Sequence, residues 1–113
     1  MLVTIGLLPS AAALVKNVSP EVNALVEKGI ALGSLGNYTE AIGYFDKVLT
    51  IDPKNGNALY NKGKALGSLG NYTEAIVYIN KALAIDPKAV NALTFKGVAL
   101  SKLRNYTNNT ILR

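Results

Sequence analysis

Apolar side chains recur at helical spacing in two successive stretches of the chain, with a glycine between them. The first stretch runs roughly from Asn57 to Leu69, and its apolar residues are Ala58, Leu59, Ala65, Leu66 and Leu69. The second begins after Asn71 and carries Ala75, Ile76, Ile79, Ala82 and Leu83. An apolar stripe of this period is typical of an amphipathic helix, so the pattern predicts two consecutive helices.

The polar residues between and after these stripes mark helix ends. Gly70 follows the first stripe, and glycine is common just beyond a helix. Asn71 suits the start of the second helix, with Glu74 three residues later as in a capping box. Asp86 precedes Pro87 and therefore disfavours helical backbone, which ends the second helix. The sequence thus predicts a helix, a tight turn and a helix.

This arrangement repeats with a period of 34 residues. Asn-Ala-Leu begins at 23, 57 and 91, and Asn-Tyr-Thr begins at 37, 71 and 105. Residues 22–55 and 56–89 are identical at 24 of 34 positions. Because a period of this size indicates a helical repeat array, we divide the chain into four parts. These are an apolar leader (1–18), repeat 1 (19–55), repeat 2 (56–89) and a partial repeat 3 (90–113).

The period of 34, the Gly-Asn-Tyr-x-Glu-Ala-Ile run and the closing Asp-Pro resemble the tetratricopeptide repeat (TPR) family. The small residues of that family are matched by Gly29, Gly63, Gly97, Ala41 and Ala75. The resemblance implies an all-α fold, a right-handed superhelical stack of antiparallel helix pairs with about two and a half repeats. Asn109 stands where the third copy would carry alanine, so the second helix of repeat 3 stays an open question.

Differences between the copies concentrate on one side of the first helix of each repeat, within an arc of roughly 120°. Lys28, Lys62 and Lys96 lie among the constant positions, where their stems would cover apolar surface and their ammonium groups would reach water. The resemblance implies a concave groove, lined by the first helices, that holds a peptide or helix of a partner protein. The groove residues would be Asn57, Tyr60, Asn61, Lys64, Asn91, Thr94, Phe95, Val98 and Lys102.

Each type of groove residue would have its own task. Tyr60 and Phe95 would supply apolar area, the asparagine ladder would bond to peptide backbone, and Lys64 and Lys102 would attract carboxylates. The alternative is that the variable positions are only solvated and have drifted. Some family members grip the C-terminal carboxylate of heat-shock chaperones, but Val26 and Ile30 replace the required Lys and Asn of the first repeat. A chaperone clamp is therefore not predicted.

Composition excludes several classes of chemistry. The chain has no cysteine and no histidine, which rules out Cys/His zinc sites and Ser–His–Asp triads. We predict no catalytic residue, no metal and no cofactor, and therefore no enzyme. The net charge of +5 arises after residue 86, from Lys88, Lys96, Lys102, Arg104 and Arg113. This basic end suggests nucleic acid or an acidic surface as an alternative partner, but no aromatic stacking platform accompanies it.

The two ends of the chain leave alternatives open. Met1 to Val15 carries no charged side chain, and it is either a signal-like segment or a cap on the first repeat. We predict a cytoplasmic protein, or a secreted or membrane-associated one if residues 1–15 act as a signal. Ser19 and Pro20 would begin the first repeat helix. The incomplete third repeat predicts self-association as a homo-oligomer, fraying of residues 105–113, or a fragment of a longer array.

Overall fold

The computed structural model describes residues 19–112, with side chains up to Asn108. This range contains five helices and no strand: α1 (Pro20–Ser34), α2 (Tyr38–Ile51), α3 (Gly56–Ser68), α4 (Tyr72–Ile85) and α5 (Val90–Leu112). The expected all-α fold built from helix pairs is confirmed. The predictions for the leader, including its signal-like reading, lie outside the described residues.

Side chains cap the first helices of both complete repeats. The Ser19 hydroxyl accepts a hydrogen bond from the Val22 amide at 3.2 Å, and Pro20 follows it as the first helical residue. This start agrees with the sequence-based prediction. In repeat 2 the cap is Asn55, whose Oδ1 accepts from the Ala58 amide at 2.9 Å. Each cap satisfies one of the unpaired amides at a helix start and fixes where the repeat begins.

The turn inside each complete repeat depends on a glycine in the left-handed region. Gly36 has a φ of +85° and Gly70 a φ of +89°, values that side chains with a Cβ rarely adopt. After the second turn, Asn71 Oδ1 accepts from the Glu74 amide, and Asn71 Nδ2 donates to Glu74 Oε1 at 2.9 Å. The Asn37 side chain makes no equivalent cap bond. The left-handed glycine is therefore the feature that both turns share, whereas the asparagine side-chain cap is present only in the second.

The third copy lacks this turn. Arg104 stands 34 residues after Gly70, and α5 continues through it as one helix from Val90 to Leu112. Left-handed backbone costs a residue with a Cβ about 1–2 kcal/mol, whereas arginine is a good helix former. The sequence left the second helix of repeat 3 open, and in the described residues no separate second helix forms.

Helices pack in chain order, each against the next, and the first helices α1, α3 and α5 also contact one another in a row. Close packing within a repeat depends on glycine. A Cβ at Gly29 would lie 2.5 Å from Cε1 of Phe45, and one at Gly63 would lie 2.8 Å from Cδ1 of Ile79. Phe45 and Ile79 are fully buried as a result. The second helix of each complete repeat thus inserts one large apolar side chain at a glycine of the first.

At two positions that are constant between the repeats, the exposure of the side chain differs from what the sequence predicts. Leu69, grouped with the constant apolar face, is half exposed because it is the residue that follows the last turn of α3. Lys62, grouped with the lysines expected at the surface, is a buried residue. Its Nζ lies 2.6 Å from Asp46 Oδ1 on α2. Stacking of repeat 1 on repeat 2 buries this lysine, so a pattern read within one repeat could not show it.

Candidate protein-binding groove

A first cavity of about 200 Å³ lies between the first helices of repeats 1 and 2. It is lined by Gly29, Ile30, Gly33, Ser34, Tyr38, Phe45, Asn61, Lys64, Ala65 and Ser68. Ile30 and Lys64 occupy the same position in successive repeats and differ in chemistry. The α1 side of the cavity thus carries an apolar side chain and the Ser34 hydroxyl, and the α3 side carries a cation and an amide.

A larger cavity of about 590 Å³ lies between α3 and the start of α5, with the end of α4 beneath it. Its lining residues are Asp52, Lys54, Asn55, Gly56, Asn57, Tyr60, Asn61, Ala82, Ile85, Asp86, Ala89, Asn91 and Ala92. Asn61 lines both cavities. The two cavities therefore adjoin along α3, and together they follow the row of first helices.

Five of the nine residues predicted for the groove line these cavities. Asn57, Tyr60, Asn61 and Asn91 line the larger one, and Lys64 joins Asn61 in the smaller. The other four are on α5: Thr94, Val98 and Lys102 are exposed, and Phe95 is half-buried. The structure brings the α3 residues and Asn91 together around these cavities, whereas the four later α5 residues do not line either of them.

Phe95 holds two first helices together. A Cβ at Gly67 would lie 2.5 Å from Cζ of its ring, so the ring of Phe95 fills the space that this glycine leaves on α3. Gly67 is replaced by Ser101 in the third copy, and Phe95 by Asn61 in the second. The contact is therefore particular to the junction of repeats 2 and 3. Phe95 has a structural contact in addition to any contact with a partner.

Local contacts orient the α3 side chains. Asn61 Nδ2 donates to the carbonyl of Asn57 at 2.9 Å, one turn earlier on α3. Lys64 Nζ lies 5.6 Å from the ring centroid of Tyr60, a distance at which cation–π attraction operates. Burial raises the pKa of the Tyr60 phenol above its ordinary value of 10.0. The cluster offers amide groups, a phenol and a cation along about two turns of one helix.

Two carboxylates in the larger cavity were missed by the sequence reasoning. Asp52 and Asp86 follow the second helices of repeats 1 and 2, and both line this cavity. Each uses Oδ1 to accept a backbone amide two residues later, from Lys54 at 3.2 Å and Lys88 at 3.1 Å. The repeated Asp-Pro-Lys signalled a helix end but not that both ends face one cavity. The larger cavity thus combines amides with two carboxylates and one cation, Lys54.

Two further properties concern only residues 19–112. No group of acidic side chains in this range is placed to hold a metal ion. None of the helices in this part of the chain has both the length and the apolar character needed to cross a bilayer.

Comparison with known proteins agrees with this architecture. The model of the tetratricopeptide repeat family matches residues 22–55 and 56–89, which together exceed half of the chain. A comparison with curated protein sequences finds no match. The TPR domain of Sgt2 from Aspergillus fumigatus superposes with a TM-score of 0.73 at 28% identity, over 79% of this chain and 59% of that one.

Two other solved structures give similar values. The first TPR domain of human RPAP3 has a TM-score of 0.70 at 28% identity, over 74% of this chain and 66% of that one. The TPR2AB domain of yeast Sti1, in its pHSP90 complex, has a TM-score of 0.72 at 24% identity, over 88% and 40%, and so shows the fold alone. This chain spans less than two thirds of each of these domains. The matched repeats, the helix pairs and the superpositions show that the chain belongs to the tetratricopeptide repeat family, whose members are non-enzymatic protein-interaction modules.

Proposed function

We propose that this chain is a non-catalytic adaptor that binds a peptide or helix of a partner protein in the groove along α1, α3 and α5. The observation that carries this proposal is the position of Asn61. It differs between the copies, and it lines both cavities between successive first helices. Positions that vary while the packing face stays constant are suited to a role in partner selection.

The chemistry of the groove indicates how a partner segment binds. Asn57, Asn61 and Asn91 carry both donors and acceptors, so they can pair with the amides and carbonyls of an extended peptide. The Tyr60 ring supplies apolar area, as aromatic residues commonly do at the centre of protein interfaces. Asp52 and Asp86 favour peptide N–H groups or a basic side chain in the larger cavity.

The smaller cavity favours a different part of the partner. Ile30 and Phe45 give it an apolar wall, and Lys64 stands at its edge. An apolar side chain followed by a carboxylate fits this arrangement. The proposed ligand is therefore a segment with an apolar and acidic portion beside α1 and a basic or amide-rich portion beside α5. Since Ile30 and the buried Val26 offer no polar group at α1, a chaperone carboxylate clamp is not part of the proposal.

The test begins with selection of short peptides from a random library against the full chain. Amide and side-chain NMR signals are then followed during titration with a selected peptide. We expect the Asn57, Asn61 and Asn91 side-chain signals to shift, and Tyr60→Ala or Asn61→Ala to weaken binding about fivefold or more. Asn80→Ala, at an exposed position of α4, is the matched control. Peptides that shift none of these asparagine signals would refute the groove.

The basic end supports a second experiment on the alternative partner. α5 carries Lys96, Lys102 and Arg104 and no acidic residue. If nucleic acid is the partner, its affinity must fall steeply with salt concentration, because phosphate contacts release counterions. Absence of a salt-dependent complex with single- or double-stranded nucleic acid removes this alternative and leaves the adaptor proposal unaffected.

A further inference from the structure

Within residues 19–112, α5 has no following helix packed on it as α4 is packed on α3. Leu59 and Leu66 lie on α3, which packs against both α2 and α4, and they retain 3% and 8% exposure. Their counterparts one period later, Leu93 and Leu100 of α5, are each 49% exposed. We name the surface formed by Leu93, Lys96, Gly97 and Leu100 the open α5 face. It has the residue pattern of a helix-binding surface without the helix.

Gly97, the glycine of this face, has no packing partner among the described atoms. Gly29 receives the ring of Phe45, and Gly63 receives Ile79, at distances that leave no room for a Cβ. At Gly97 no described atom lies within 4 Å of where a Cβ would be. A glycine in a helix interior costs about 1 kcal/mol relative to alanine, and here no packing contact offsets that cost. The open α5 face is therefore shaped to receive a large side chain.

Charge indicates what kind of helix fits. Lys62 on α3 is neutralised by Asp46, but the residue that corresponds to Asp46 in the next repeat is Asn80. Lys96, the counterpart of Lys62, is half-buried and forms no ion pair within residues 19–112. Lys102 and Arg104 add further positive charge to α5. Pairing of α5 with a second α5 would bring like charges together, whereas an acidic helix would neutralise them.

We propose that the open α5 face binds an acidic amphipathic helix of a partner protein, which takes the place that α4 occupies on α3. The two complete repeats show the required pattern, a small residue followed four positions later by a large apolar one. Ala41 with Phe45 and Ala75 with Ile79 are its examples. This interaction is independent of the peptide groove, because the residues of the open α5 face do not line either cavity.

The chain itself supplies a probe for this face. A synthetic peptide with the sequence of residues 37–53 contains Ala41 and Phe45, and it carries three acidic residues against one lysine. A hydrocarbon staple between positions 39 and 43, which are exposed in α2, holds the peptide helical without blocking its packing side. Fluorescence anisotropy of the labelled peptide is measured with the full 113-residue chain. We expect saturable binding at concentrations below about 1 mM.

Substitutions at two glycines give the decisive comparison. Gly97→Leu places a side chain where the helix must approach, and we expect it to weaken binding by about tenfold or more. Gly43→Leu is the matched control, since Gly43 is also helical, exposed and without a described neighbour within 4 Å of a Cβ. Lys96→Glu should weaken binding most at low ionic strength. Tyr60→Ala should leave it unchanged, which separates this proposal from that of the groove.

Three results would overturn the proposal. The first is no saturable binding of the stapled peptide, and the second is equal binding by the chain and its Gly97→Leu variant. The third concerns a second copy as the occupant. If sedimentation shows a dimer of the chain alone that Gly97→Leu dissociates, the face is a self-association surface and not a site for an acidic partner helix.

Discussion

Lys62 Nζ lies 2.6 Å from Asp46 Oδ1, across the junction between repeats 1 and 2. The lysine side chain is only 11% exposed, and its Nζ also lies 4.1 Å from the ring centroid of Tyr78 on α4. A cation on α3 thus contacts both second helices, one from each repeat. Because the cation is buried, loss of its carboxylate partner leaves a charge with poor solvation.

Asp46→Asn should lower the free energy of unfolding by about 1 kcal/mol. This modest figure reflects the half-exposed position of Asp46, where water partly screens the pair. Urea unfolding followed by circular dichroism measures the change. Glu27→Gln, which removes an exposed carboxylate from α1, is the control and should have little effect. Equal destabilisation by the two variants would show that the ion pair contributes nothing.

The effect of Asp46→Asn should depend on pH in a defined direction. Burial alone lowers the pKa of Lys62, but hydrogen bonds and coulombic attraction to Asp46 and Tyr78 outweigh it and raise that pKa above its ordinary value of 10.5. The folded state therefore holds this proton more tightly than the unfolded state. The resulting stability is complete below pH 10.5 and is lost as the pH rises through the raised pKa. The difference between the chain and Asp46→Asn should shrink at strongly alkaline pH, and a difference that grows there would contradict the assignment.

Gly63→Ala should destabilise the chain by about 1–3 kcal/mol, since overpacking forces neighbouring groups to move. The added Cβ would lie 2.8 Å from Ile79 Cδ1 and 3.1 Å from the Ala75 carbonyl, a backbone atom that moves less easily. Gly43→Ala has space at its position and should instead stabilise α2 by about 0.5–1 kcal/mol. Thermal unfolding of the two variants should thus shift in opposite directions. If the unfolding temperatures of both variants moved in the same direction, close packing at Gly63 would not explain the effect.

Arg104→Gly should end α5 near Leu103. Glycine lowers the stability of a helix interior by about 1 kcal/mol and permits the left-handed turn seen at Gly70. Residues 105–112 would then lose helical structure, because Asn109 cannot replace the small apolar residue that anchors a second helix. Amide hydrogen exchange should show faster exchange in 105–112 and no change in α3. Retained protection in that segment would mean that contacts other than helix continuity hold it.

Much of the fold follows from local features of the sequence. The period of 34 residues, the apolar stripes and the turn glycines at 36 and 70 each act within one repeat, so each could be interpreted without a structure. The Ser19 cap is equally local. Arg104 also indicates locally that the turn is missing from the third copy. This indication becomes evident only when Arg104 is aligned with Gly70 and Gly36, one and two periods earlier.

The candidate groove was accessible from the sequence only in part. Variation between copies drew attention to Asn61 and Lys64, because the packing face of α3 is constant. It did not reveal Asp52 and Asp86, because a pattern within one repeat does not show that the ends of α2 and α4 line the same cavity. Nor did it reveal that Phe95 packs at Gly67, since this contact joins residues on different helices.

The sequence by itself determined that the chain is an array of helix pairs, where each pair begins and turns, and which side of the first helices differs between repeats. Local backbone preferences and apolar periodicity are sufficient for these features. Only the tertiary structure decided that Lys62 is buried against Asp46, that two cavities meet at Asn61, and that one face of α5 is left open by the other helices of residues 19–112. These properties depend on how one repeat stacks on the next, a relationship between surfaces that no single repeat encodes.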